Sequence, residues 1–226
     1  MANQAAVSNQ NLWGGGEDVK PLGASYGKVM MWFFIVSDAF TFSGLLISYA
    51  LLRIGSPKWA NPEEVFHAFP FMGDAHLPLV FVGLMTFILI FSSVTMVLAV
   101  EAGHRNSKKE VINYMILTIL GGIAFLLCQA WEWTHLIHGG TTIYGNPHGP
   151  AVFGQLFFAI TGFHGAHVTS GVILNIIVLI LVFNGYFDRR VQAGEHDPYE
   201  LVEKVGLYWH FVDLVWVFVF TFFYLV

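Results

Sequence analysis

Five stretches of this 226-residue chain run for about twenty residues or more with almost no charge: Val29 to Leu52, Leu77 to Val100, Val111 to Trp131, Ala151 to Phe187 and Val205 to Val226. A helix needs ~20 apolar residues to cross the hydrocarbon core of a bilayer, so each stretch is long enough to span it. Between them lie short segments rich in charge, Pro and Gly. With 56% hydrophobic and 11% charged residues, the chain has too little polar surface to cover a water-soluble core of this size. The pattern predicts an all-α integral membrane bundle of five transmembrane helices, placed at about 26–54, 76–103, 110–138, 151–187 and 203–226. These form one domain, residues 26–226, behind a polar, Gly-containing leader (residues 1–25) that is expected to be flexible. The fourth run has no Lys, Arg, Asp or Glu over 37 residues, ~55 Å as helix, which predicts a tilted or projecting span.

Cation placement orients the bundle. With the N-terminus in the cytoplasm, that side carries Lys20, Lys28, Arg105, Lys108, Lys109, Arg189, Arg190 and Lys204, and the opposite side only Arg53 and Lys58. The imbalance predicts a cytoplasmic N-terminus and a periplasmic C-terminus. Ten Lys plus Arg with a net charge of −5 argue against a nucleic-acid partner. A lone cysteine, Cys128, excludes an internal disulfide and a cysteine zinc site. The first twenty residues lack a basic segment followed by an apolar core, which argues against a cleaved signal peptide.

Ionisable residues inside the apolar runs are costly and therefore informative. Asp38 follows Met31-Trp32-Phe33-Phe34-Ile35-Val36-Ser37 and lies ~18 Å along a helix that begins near Tyr26. A carboxylate at that depth must be protonated, paired or wetted; a proton-handling role stands against a neutral acid hydrogen-bonded to a neighbouring helix. His164 and His167 are spaced i,i+3 and share a face. They could be imagined as metal ligands, but no third and fourth ligand stands at suitable spacing. Gly162 and Gly165 beside them would let another helix approach closely. The sharper expectation is that Asp38 and His164 meet near mid-membrane and share a proton or a hydrogen bond. Glu132, in Gln129-Ala130-Trp131-Glu132-Trp133, is expected to tie the third span to the fourth or fifth. His210 and Asp213, again i,i+3, are expected to make a mutual or interhelical hydrogen bond. Trp32, Trp209 and Trp216 are expected to pack or to face lipid. Histidines 76, 135, 138 and 148 fall at helix ends or in outer loops.

Two of these segments carry a resemblance. Trp209-His210-Phe211-Val212-Asp213 with Trp216, and Thr161-Gly162-Phe163-His164-Gly165-Ala166-His167-Val168, are similar to the signature of subunit III of the haem-copper oxidases. The likeness extends over nearly the whole chain from Tyr26 and corresponds to a five-helix bacterial form. In that family the place of Asp38 is usually held by Glu, and that of Trp133 by Tyr. The resemblance implies an accessory subunit of a proton-pumping terminal oxidase in the bacterial cytoplasmic membrane. It implies packing against subunit I in a complex that also holds subunit II, with haems and copper in those partner subunits and no redox metal in this one. It further implies bound phospholipid and a role in proton uptake. A homologous accessory subunit of a nitric oxide reductase, a transporter coupled through Asp38 and a di-histidine metal enzyme are the competing readings.

Overall fold

The computed structural model describes residues 25–66, 79–194 and 197–225, and the leader therefore lies outside the described residues apart from Ser25. All regular structure among them is helical: α1 (Tyr26–Gly55), α2 (Pro62–Val65), α3 (Val80–His104), α4 (Lys108–His138), α5 (Ala151–Phe183), α6 (Tyr186–Gln192) and α7 (Glu200–Phe220), which continues into a π-helical turn, Thr221–Leu225. Five helices, α1, α3, α4, α5 and α7 with its terminal turn, are long and apolar enough to cross a membrane.

Their packing is uneven. α7 runs against α1, α3 and α5, while α3 packs on α4 and α4 on α5, so α7 closes the bundle on one side. It is the most buried span and α1 the least. α1 touches only the α5 and α7 side to any extent, and it turns Trp32, Phe33, Phe40 and Leu51 outward. Trp32 is thus on the outside of the bundle, 53% exposed, and contributes little to packing within this chain.

Small residues set the closest approaches. The indole of Trp209, fully buried, is wedged between α4 and α5: a Cβ on Gly122 would lie 2.6 Å from its ring, and one on Gly171 2.8 Å. Its Nε1 donates to Ser92 Oγ on α3 at 3.0 Å, and Ser92 in turn donates to the Thr118 carbonyl of α4. One side chain of α7 therefore touches three other spans. In hydrocarbon there is little hydrophobic gain from bringing two apolar helices together, so such close, hydrogen-bonded contacts carry the association. The sequence pointed to Gly162 and Gly165 for this role. Gly162 does lie close to Trp133 of α4, at 3.0 Å from a notional Cβ, but nothing approaches Gly165 within 4 Å.

The fourth apolar run is not one helix. α5 stops at Phe183, Gly185 takes the left-handed conformation (φ +69°), and a separate short helix α6 follows. The left-handed region is one that glycine enters at no steric cost, and it turns the chain out of the span instead of extending it to residue 187. Part of the charged segment 188–203 is accordingly helical, and α7 begins at Glu200, five residues before the apolar stretch that starts at Val205. At that end of the bundle Lys28 pairs with Glu203 (2.8 Å), Lys108 with Asp188 (2.6 Å) and Lys204 with Glu200 (3.2 Å), and the Ser25 hydroxyl contacts Glu200. Tyr199 stacks on Phe187, and burial together with the Asp188 carboxylate pushes its phenol above the usual range.

Candidate functional site

Asp38 enters the bundle from the inner face of α1, where α5 and α7 meet. Its Oδ2 lies 3.1 Å from Nε2 of His167 on α5, and the two side chains are only 11% and 15% exposed. The contact is close but not well aligned as a hydrogen bond, and Oδ2 makes no aligned bond elsewhere among the described residues. The other ring nitrogen decides the chemistry. His167 Nδ1 stands 2.8 Å from the Phe163 carbonyl, one turn back on α5. A carbonyl can only accept, so Nδ1 carries a hydrogen. In the neutral ring Nε2 is then a lone pair, facing a carboxyl oxygen. A hydrogen bond across that 3.1 Å gap would need one proton, either on Asp38 donating to Nε2 or on the imidazole pairing with the carboxylate.

Aromatic and hydroxyl groups enclose the pair. Phe42 lies edge-on to the His167 ring at 5.3 Å, and Phe163 at 4.6 Å. On the α7 side the Tyr208 hydroxyl bonds Ser170 Oγ at 2.6 Å and donates to the His167 carbonyl at 3.3 Å. Tyr208 and Ser170 carry no sequence motif that would have singled them out; both owe their place to the helix crossing.

The expected meeting of Asp38 with His164 does not occur. His164 is rotated by about 300° of helix from His167, which turns it toward α4 and α7. It is fully buried, and neither ring nitrogen has a hydrogen-bond partner among the described residues. Phe125 stands perpendicular to it at 5.8 Å, and Trp216 lies over it at 5.3 Å. The i,i+3 spacing gave the two imidazoles adjoining faces but different neighbours.

Glu132 forms the second buried cluster, at the far end of α4. Tyr224 of the π-helical turn donates its hydroxyl to the carboxylate (3.0 and 3.1 Å to its two oxygens), and Gln129 Nε2 adds a bond at 3.3 Å. The tie therefore runs to the fifth span and within α4. Tyr224 escaped the sequence reading because a regular 3.6-residue helix gives no hint of a π turn, whose extra residue per turn redirects the side chains beyond it.

The third cluster departs further from expectation. His210 and Asp213 do not bond each other. His210 Nδ1 shares a 2.7 Å hydrogen bond with Ser93 of α3, and both Asp213 oxygens are buried with no hydrogen-bond partner among the described residues. Ser93 stands near the carboxyl, but its aligned bond is the one to His210. Trp216, one turn further, donates from Nε1 to Thr86 Oγ1 of α3 at 3.0 Å. Among the described residues no three His, Cys, Asp or Glu side chains converge in a way that could hold a metal ion.

Comparisons with known proteins identify the family. The family model for cytochrome c oxidase subunit III matches residues 9–226. Cytochrome c oxidase subunit 3 of Corynebacterium diphtheriae is 33% identical over 203 residues, covering 88% of this chain and 85% of that protein. Cytochrome c oxidase subunit 3 of a Synechocystis strain is 34% identical (85% of this chain, 72% of that protein), and quinol oxidase subunit 3 of Bacillus spizizenii is 31% identical (84% and 82%). With a match over nearly its full length and its two longest motifs at the helix crossings, this chain belongs to the cytochrome c oxidase subunit III family, the accessory subunits of haem-copper oxidases.

Proposed function

We propose that this chain packs against the catalytic subunit I of a terminal oxidase, beside subunit II, in a bacterial cytoplasmic membrane, and that it holds a proton at Asp38 and His167 in support of proton uptake. The observation that carries the reading is the 3.1 Å contact of Asp38 Oδ2 with His167 Nε2, buried inside a span where an isolated charge would be expensive. Such a pair exchanges a proton by shifting it between carboxyl and imidazole, with no net charge created in the membrane.

The N-terminus lies in the cytoplasm on this reading, following the excess of Lys and Arg on that side. The ion pairs of Lys28 with Glu203 and Lys204 with Glu200 then mark the cytoplasmic end of α1 and α7. Asp38 is ten residues beyond Lys28, ~15 Å by helical rise, which is within reach of a short chain of waters. Phospholipid acyl chains suit the apolar groove of about 270 Å³ between α1 and α7, lined by Phe42, Leu46, Phe211 and Phe218. Oxygen reduction belongs to haem and copper in the partner subunits. Relatives carry both cytochrome c and quinol oxidase names, and the proposed role serves either electron donor.

Asp38→Asn and His167→Gln should each slow proton uptake by the assembled oxidase, most at alkaline pH where protons are scarce, while leaving subunit assembly and haem content intact. Time-resolved proton uptake with a pH dye measures this. Uptake rates that equal those of the unaltered enzyme across the alkaline range would reduce the dyad to a packing contact.

A further inference from the structure

α3 and α7 leave an open groove of about 420 Å³ between them on the outside of the bundle. Its walls are what lipid would favour: Ile90, Val94, Val97, Leu214 and Val217 are all 45–56% exposed. Its floor is not. There lie Ser93, His210 and Asp213. Asp213 is the fourteenth residue of a 26-residue span and Ser93 the fourteenth of a 25-residue one, which puts both ~20 Å from one end and ~17 Å from the other, close to the middle of the hydrocarbon. Asp213 is 8% exposed; Ser93 stands near its carboxyl, but neither oxygen makes an aligned hydrogen bond among the described residues. His210 spends Nδ1 on Ser93, is only partly buried, and makes no hydrogen bond through Nε2 among the described residues.

A polar floor at this depth restricts what can cover it. Lipid head groups sit at the interface, and acyl chains offer no donor or acceptor. A buried acid without a partner costs free energy wherever it lies, and more in hydrocarbon. The occupant must bring its own hydrogen-bonding side chain to the membrane midplane, which only another transmembrane segment can do.

We infer that the α3/α7 groove is the seat of a transmembrane helix from a partner chain of the oxidase complex, one that presents a hydroxyl, amide or cationic donor to Asp213 and His210 at mid-membrane. The inference rests on the accessory-subunit reading above. It adds the face through which the chain docks, and it is independent of the Asp38–His167 dyad on α1 and α5. Asp213 and His210 are thereby interface residues, held ready by Ser93.

The test uses whole complex in native membranes. p-Benzoylphenylalanine in place of Leu214 or of Val94, at the rim of the groove, should crosslink on irradiation to one partner chain, several-fold more than the same residue in place of Leu127, which is 67% exposed on α4. Asp213→Leu should lower the amount of this chain recovered with its partners several-fold, although removing a buried, unpaired carboxyl should not by itself unfold it. Crosslinks from the groove to lipid alone, or to a second copy of this chain, would overturn the assignment, as would undiminished recovery of Asp213→Leu. If the partners are recovered but crosslink only through Leu127, the docking face is wrong and the accessory role stands. If no oxidase chain is recovered with the unaltered protein, the accessory role itself falls, and this surface with it.

Discussion

Two imidazoles three residues apart, one partnered and one not, make different demands on this bundle. His167 faces an acid and must keep a ring hydrogen for a backbone carbonyl; His164 faces aromatic rings and has no hydrogen-bond partner among the described residues. His164→Phe should therefore preserve or raise thermal stability, because it exchanges an unsatisfied buried group for an apolar ring of similar breadth. His167→Phe should strand Asp38 and destabilise α1. Thermal denaturation of the purified oxidase, followed by loss of this chain's tryptophan signal, separates the two. At Glu132 the direction is set by the donors: Tyr224→Phe removes the hydroxyl that serves both carboxylate oxygens and should cost about 1–3 kcal/mol. The same change in a Glu132→Leu background should cost less, a shortfall that a double-mutant cycle measures. That acids and imidazoles stand inside the spans was legible in the sequence; that His164 and Asp213 would lack an aligned partner among the described residues was not. Nor was the partner that each of the others would find, since spacing along one helix gives the face and says nothing of what faces it.

At the level of helices, the span count could be read from hydropathy alone, because the bilayer imposes a minimum length that few other folds require; the expected start of the second span at 76 lies outside the described residues. The fourth run was misread for a physical reason. Its apolar character continues past the point where Gly185 turns the chain. Helix–helix contacts were less visible, because a small residue is informative only when something presses on it. Gly122 and Gly171 receive the Trp209 ring, and Gly165 receives nothing. Gly171→Leu should thus drive the indole from its slot and cost about 1–3 kcal/mol by overpacking. Gly165→Ala should be neutral or slightly stabilising, since alanine is the better helix former and has room. Comparing the melting of these two variants tests whether the crossing of α7 with α4 and α5 depends on that one ring.

Taken whole, the chain pairs a tight core with an incompletely covered exterior. Among the described residues none of its polar clusters gathers metal ligands. The chain purified without its partners should accordingly show no Soret band when isolated from haem-replete cells. A haem spectrum that persists through stringent purification would require a different account of the histidines.

The loosest member of the assembly, α1, is fastened at one end by the bond between Lys28 and Glu203 and farther along by the acid that meets His167. One tie reaches α7 and the other α5, so loss of either should loosen α1 while the other four spans stay packed on one another.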